Sequence, residues 1–456
     1  MRVVLATILA GSALAAQPPA GPCRLVFENT DSTRGTAVKL PSGKYNTFLG
    51  HGVIAHCPAQ NLTLISDSAE SYEEQGVMYA IGHVHYTEPR AKMDADRAWY
   101  YQVDARLIAD GNVVARTPSG SVMRGPHADY LRALPGVRAQ AQMTATGRPH
   151  LDLVQHDSLG RPEPPVGVDA NTIVSRNDSL IFASGKVDIN RVDLDAHGDS
   201  AYLDQGTEFM RLMGFGKQPV INGKQGRPFT LHGDVIDLYS KLRQLQRVKA
   251  YAHGDAVSQE LHLWSDTIDL RVTNKQLERA YAWGPSRARA NTTERDILAD
   301  SIDAMLPGQV LRQVRSIGKA FAQSLPDTVK IKSKDKDWMK GDTIIAYFDS
   351  TAVRAPSDTN KQPEVKTVVS LGHAQSLYQL PPKDKRAKVP ALNYVRGHDI
   401  EIQLAARSVQ TVNVRDSVAG VMLEPIVEDS TKTKRDSTNA PPRSRRPAGF
   451  PGGGRP

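Results

Sequence analysis

The residues best placed for chemistry are aspartates in pairs. Residues 231–238 read LHGDVIDL, with Asp234 and Asp237 between aliphatic neighbours just after a glycine. LWSDTIDL (263–270) repeats the arrangement with Asp266 and Asp269, and ILADSIDA (297–304) with Asp300 and Asp303. Paired carboxylates can hold a metal or share acid and base work. Two features argue against that use. A catalytic site is needed once, whereas these pairs return with a period. The spacing also sends the two carboxylates of a pair to opposite faces of a straight strand. The pairs therefore read as scaffold, with Asp237 turned to water and calcium bridging between rungs as the alternative. His83 and His85 in GHVHY share one strand face and suit a metal. No carboxylate or cysteine partner is evident for them, so they read as solvent-facing. GxSxG, HExxH, P-loop and dinucleotide fingerprints do not occur, and SGK at 42–44 and 184–186 lacks the phosphate-loop spacing. No catalytic residue, metal or cofactor is assigned, and the chain reads as a non-enzyme.

The elements that position these aspartates are repeats. Looser copies of the Asp phrase are ISDSAES (65–71), MDADRAWY (93–100), AHGDSAYL (196–203), MKGDTIIA (339–346) and VRGHDIEI (395–402). A second phrase follows each at a distance: MYAIGHV (78–84), LIADGNV (107–113), IFASGKV (181–187), AYAHGDA (250–256), AYAWGPS (280–286), VRSIGKA (314–320) and VVSLGHA (368–374). Recurrence at this scale implies a stacked array. VIDL and TIDLRV are β-branched and alternate, so they are strands, and RVTNKQLERAYAW turns at Asn274-Lys275. QVLRQVRSIGKAF has a helical look, but its alignment with QRVKAYAHGDA makes it a strand. Wider gaps hold polar inserts such as KIKSKDKD (330–337) and SDTNKQPEVK (357–366).

The phase of alternation slips by one residue at each Asp phrase. Leu261 and Leu263 share one parity, and Ile268, Leu270 and Val272 the other. A one-residue slip moves side chains to the opposite face. If both sets face inward, the strand bends at the small-residue–Asp step, with Gly233 permitting the bend and Asp234 tying down the turn. The inward set is Leu231, Ile236, Leu238, Leu263, Ile268, Leu270, Ile297 and Ile302. It lines either a dry core between two sheets or an open lipid groove. About ten hairpins shared between two sheets give a stack of roughly 50 Å.

Bulk properties agree with an exported, all-β chain. Its 456 residues are 40% hydrophobic but only 6% aromatic, which suits many small aliphatic contacts better than one deep core. Net charge is +8, and the segment from Ile426 onward, with seven Lys/Arg and three Asp/Glu, supplies half of it. No basic helix or aromatic-interleaved basic patch supports nucleic-acid binding. MRVVLATILAGSALAAQ reads as a signal peptide, residues 1–16, cleaved after Ala16. Cys23 and Cys57 are the only cysteines, and export favours a disulfide between them. Residues 17–425 form the repeat stack, and 426–456 is a Pro/Gly/Arg-rich tail expected to be disordered.

Gly82-His83-Val84, Ala109-Asp110-Gly111-Asn112-Val113 and Ala183-Ser184-Gly185-Lys186-Val187, with the small-residue–Asp strands before them, resemble the OstA/LptA family of periplasmic lipopolysaccharide-transport proteins. The likeness is strongest from Leu64 to Val114, and weaker copies extend to about Leu423. The resemblance implies an elongated antiparallel β-jellyroll, a folded-over sheet open along one side, whose apolar interior holds acyl chains. It implies lipopolysaccharide or a similar lipid as ligand. Partner jellyrolls would stack on the edge strands, for which the N-terminal hairpin and residues 409–423 are the candidates. The implied place is the periplasm, with transport to the outer membrane. This chain departs from the simplest members in its length, its polar inserts and its tail. The alternatives are a β-solenoid enzyme acting on polysaccharide, or a structural cell-envelope repeat protein.

Overall fold

The long β-branched runs of the repeats form strands, and every pairing between them is antiparallel. The computed structural model describes residues 25–28, 33–156, 160–177, 179–225, 228–258, 261–291, 295–326, 331, 333–349, 363–384, 386–405 and 408–426. The expected signal peptide, Cys23 and nearly all of the expected tail lie outside these residues, so the Cys23–Cys57 bridge is not described. Among the described residues the regular structure is strand, apart from 3-10 turns at Pro58–Gln60 and Pro307–Gln309. Gln313–Ser324 is a strand. Asn274 and Lys275 make the expected turn, both left-handed with φ of 49° and 64°, as a two-residue hairpin of matching twist requires.

One device shapes the sheet. In the strand Val77–Glu88, Ile81 pairs with Arg97 and the next pair is Val84 with Ala95. Two residues, Gly82 and His83, therefore oppose Asp96 alone. Both are left-handed, with φ of 76° and 40°. The same pair recurs as Gly111-Asn112, Gly185-Lys186, Gly318-Lys319 and Gly372-His373. A bulge of this kind bends the strand and re-aims its side chains. Residues before it join one layer and residues after it the other. Thus 77–81, 97–101, 106–110 and 127–131 pair in one layer, and 84–88, 91–95, 113–116 and 122–125 in the second. The layers face each other: the Tyr86 ring of the second meets the Tyr130 ring of the first at 6.3 Å between centroids.

Two expectations need correction. The Asp strand does turn at its small-residue–Asp step, since 91–95 and 97–101 lie in different layers, but the extra residue that makes the bulge belongs to the glycine phrase. Gly233 is not left-handed. Its lack of a side chain answers a close approach instead, since an added Cβ would lie 2.9 Å from the Ala250 Cβ. In that rung the left-handed pair is Ala252-His253, one residue before Gly254. The stack is also about twice as long as expected. Each long strand serves both layers, so each layer has about twenty rungs and runs to roughly 100 Å at ~4.8 Å per rung.

Among the described residues the stack ends in unpaired edges. Val26–Phe27 and Arg34–Lys39 each pair on one side only at one end, and Ser408–Arg415 and Ala419–Leu423 at the other. Arg34–Lys39 and Ala419–Leu423 are exposed along their whole length.

Candidate functional site

The aspartates separate into two sets with different work. The leading aspartate of each phrase sits over the bulge of the next strand. A Cβ added to Gly82, Gly111, Gly318 or Gly372 would lie 2.3 Å from a carboxylate oxygen of Asp67, Asp96, Asp300 or Asp342 respectively. The two phrases thus form one corner, with glycine making room and aspartate capping it. The caps are direct. Phe215 N donates to Asp199 at 2.6 Å and Ser286 N to Asp266 at 2.5 Å. Asn112 Nδ2 donates to Asp96 at 2.9 Å, and Gln218 Nε2 to Asp234 at 2.8 Å. Hydrogen bonds from Gln218 and then His253 hold Asp234 below the usual carboxylate range.

The second aspartates do not face water. Asp237 has no exposed surface, and Asp269 and Asp303 are also buried. Each is clasped by an arginine of a neighbouring strand. Arg211 reaches Asp237 through Nε at 2.7 Å and Nη2 at 2.8 Å. Arg247 holds Asp269 at 2.8 and 2.7 Å, and Arg279 holds Asp303 at 2.7 and 2.6 Å. These planar forks cover the carboxylates on the outer face of the sheet. The expectation that Asp237 points to solvent omitted the cover that a long arginine supplies.

Nor do the two histidines act together. His83 Nδ1 lies 2.7 Å from Asp67, and His85 Nδ1 lies 2.8 Å from Asp94, on the strand to the other side. Both rings remain largely exposed. Among the described residues no group of three or more His, Cys, Asp or Glu is placed to hold a metal.

What remains is the space between the layers, and it changes along the stack. Toward the N-terminus it is filled and its open seam is bridged. Tyr86, Tyr100 and Tyr130 are buried there, with Tyr86 6.3 Å from each of the other two rings. Glu88, at a strand end of one layer, accepts from Tyr130 Oη and from Arg132 Nε of the other, and Arg132 also donates to Gln60. The Glu88 and Arg132 side chains keep only 4% and 13% of their surface. Farther along, Arg90 Nη1 crosses the seam to Asn177 at 2.6 Å.

In the middle the expected inward residues are packed away from solvent. Leu231, Ile236, Leu238, Leu263, Ile268, Leu270 and Ile302 are all buried. Ile297 differs, being only partly buried. It borders a cavity of about 260 Å³ between the layers near the C-terminal end. Val314, Met339, Ile344, Val368 and Ile402 form its apolar walls. The cavity exists because inward positions here carry small residues. Ala322 and Ser376 line it at the position that Tyr86 holds in an earlier rung, and Ala346 at the position of Tyr100. Its rim holds Arg295, Asp337, Phe348 and Glu364. Asp337 begins the strand Asp337–Asp349, although the sequence pattern assigned it to a polar insert.

Sequence reasoning found the inward aliphatics and missed the arginine clasps, the Glu88–Arg132 bridge and the cavity. The clasps had a signal: arginine precedes its aspartate by 26, 22 and 24 residues in successive rungs. No protein-family model matches the chain, and no curated protein is significantly similar to it.

Proposed function

We propose that the chain binds and carries lipid, with acyl chains lying between the two layers of a β-jellyroll. The supporting observation is the apolar cavity bordered by Ile297, Ile344 and Val368. A hydrocarbon tail needs no special residue to be held there. Each buried CH₂ gains roughly 0.8 kcal/mol, so ten gain about 8 kcal/mol before ordering is charged against them. The resemblance of the glycine and Asp phrases to periplasmic lipopolysaccharide-transport proteins makes lipopolysaccharide the first ligand to test. It makes the outer membrane the destination. The strands Arg34–Lys39 and Ala419–Leu423, each paired on one side only among the described residues, offer backbone groups on which partner jellyrolls would stack. The proposed setting is the periplasm.

The reading is tested by organic extraction of the exported, purified protein followed by mass spectrometry. The expected result is about one lipid per chain, falling severalfold when Ala346→Phe fills the cavity. Protein that folds normally and carries no lipid would refute it.

A further inference from the structure

One carboxylate at the cavity has no counter-charge among the described residues. Asp337 lines it at the first residue of its strand. Its Oδ1 accepts from the Gln379 backbone N–H at 2.9 Å and from Gln379 Nε2 at 3.2 Å. No described cation pairs with it, and none acts on its ionisation. Burial pushes its carboxyl up to about 6, and the Gln379 donors restrain a further rise. Arg295, the cation on the same rim, lies over the Phe348 ring instead, 5.9 Å from its centroid. Glu364 adds a second carboxylate to the lining. Lys336 and Asp335 adjoin Asp337 in sequence, and the Asp335 carbonyl accepts from Gln379 Nε2 at 2.8 Å.

Gln379 sharpens the need. It is 5% exposed, and its Oε1 has no hydrogen-bond partner. The donor end of that amide serves Asp335 and Asp337, while the acceptor end is idle. A half-buried carboxylate with no described cation, beside an idle amide oxygen, calls for a further donor, best a charged one. A phosphate or sulfate at this rim would meet like charge from Asp337 and Glu364.

We propose that the cavity mouth selects an amphiphile with a protonated-amine headgroup, the ammonium on Asp337 and the apolar tail among Ile297, Ile344 and Val368. This rests on the lipid-carrying reading and specifies the headgroup that the site prefers. An anionic lipid is then held by its tails alone, or by a headgroup that also bears an amine.

The test compares dodecylamine, dodecanol and dodecyl sulfate, each below its micelle concentration, binding by calorimetry to the full chain at about pH 7.5 and about pH 5. The amine is expected to bind about tenfold tighter than the alcohol at the higher pH, with the sulfate weakest. Asp337→Asn, whose amide oxygen can still accept from Gln379, should abolish the amine's advantage and leave dodecanol affinity unchanged. Protonation of Asp337 at the lower pH should do the same. Glu364→Gln should leave most of the preference in place. If dodecanol binds but the amine has no advantage, or the advantage survives Asp337→Asn, the headgroup proposal fails and the lipid reading stands. If none of the three binds, both fail.

Discussion

The two ends of the interior are built from the same repeat and differ in what fills it. Near the N-terminus, Tyr86, Tyr100 and Tyr130 fill the interior, and the buried Glu88–Arg132 pair ties one layer to the other across the seam. Near the C-terminus, serine and alanine occupy several equivalent positions, and about 260 Å³ stays open. Corner and register are shared, so neither explains the contrast. Residue volume on the inward face and charge at the seam do. A folded sheet of this kind is therefore a frame in which a dry core and a cavity can coexist a few rungs apart.

The contrast can be broken first at its closed end. Glu88→Ala leaves Arg132 buried without its partner and should cost roughly 3–5 kcal/mol in urea unfolding. A Glu88→Met, Arg132→Met double variant should recover most of that loss, since replacing both charges by apolar groups of similar reach removes the desolvation cost as well. Recovery would identify the pair as a seam tie whose charges are not needed for stability. In the middle, Asp269→Ala removes two charge-assisted bonds from Arg247, and about 2 kcal/mol should be lost by the same measure.

At the open end the sign reverses. Asp337 has a folded-state pKa of about 6 against an ordinary 3.8. The folded protein therefore binds the proton more tightly than the unfolded chain, and stability falls as pH rises from about 4 to about 6. Asp337→Asn should stabilise the protein above pH 6 by on the order of 1–2 kcal/mol, allowing for partial exposure, and should have no such effect below about pH 4. Thermal melts across that range would read it. The smallest effect is expected at the outer corner. The hydrogen bond and charge of Asp67 raise the His83 pKa. The stability from this pair is therefore present below the ordinary histidine range and lost as pH rises through the raised value. Because the ring is exposed, His83→Ala should lower the melting temperature only marginally at about pH 5 and not at all at about pH 9.

Much of the fold was legible because it repeats. The alternation of Ile236 with Leu238, and of Ile268 with Leu270, marks strand and inward face in a way that one copy alone would not. The phase slip correctly signalled a corner in each rung. It did not say which of two adjacent strands carries the extra residue, because a bulge and the residue opposite it shift phase together. That required the left-handed φ of Gly82-His83 and its equivalents. Asp237 was misread because parity gives the face of a strand and is silent on what covers it. The cavity lay beyond the pattern altogether. Ser316, Ala322 and Ala346 look like weak core residues in sequence, and only the opposing layer shows that nothing fills the volume they leave.

Location of a bound tail tests the account most directly. The unmodified protein is incubated with a fatty acid bearing a diazirine near the end of its tail, irradiated, digested and mapped by mass spectrometry. Adducts are predicted on the strands Arg295–Met305, Gln313–Ser324, Asp337–Asp349 and Glu364–Leu380, which wall the cavity. None are predicted on Val77–Glu88 or Ala91–Tyr101, behind the Glu88–Arg132 bridge. Adducts spread evenly along the stack, or concentrated at its N-terminal end, would contradict the account.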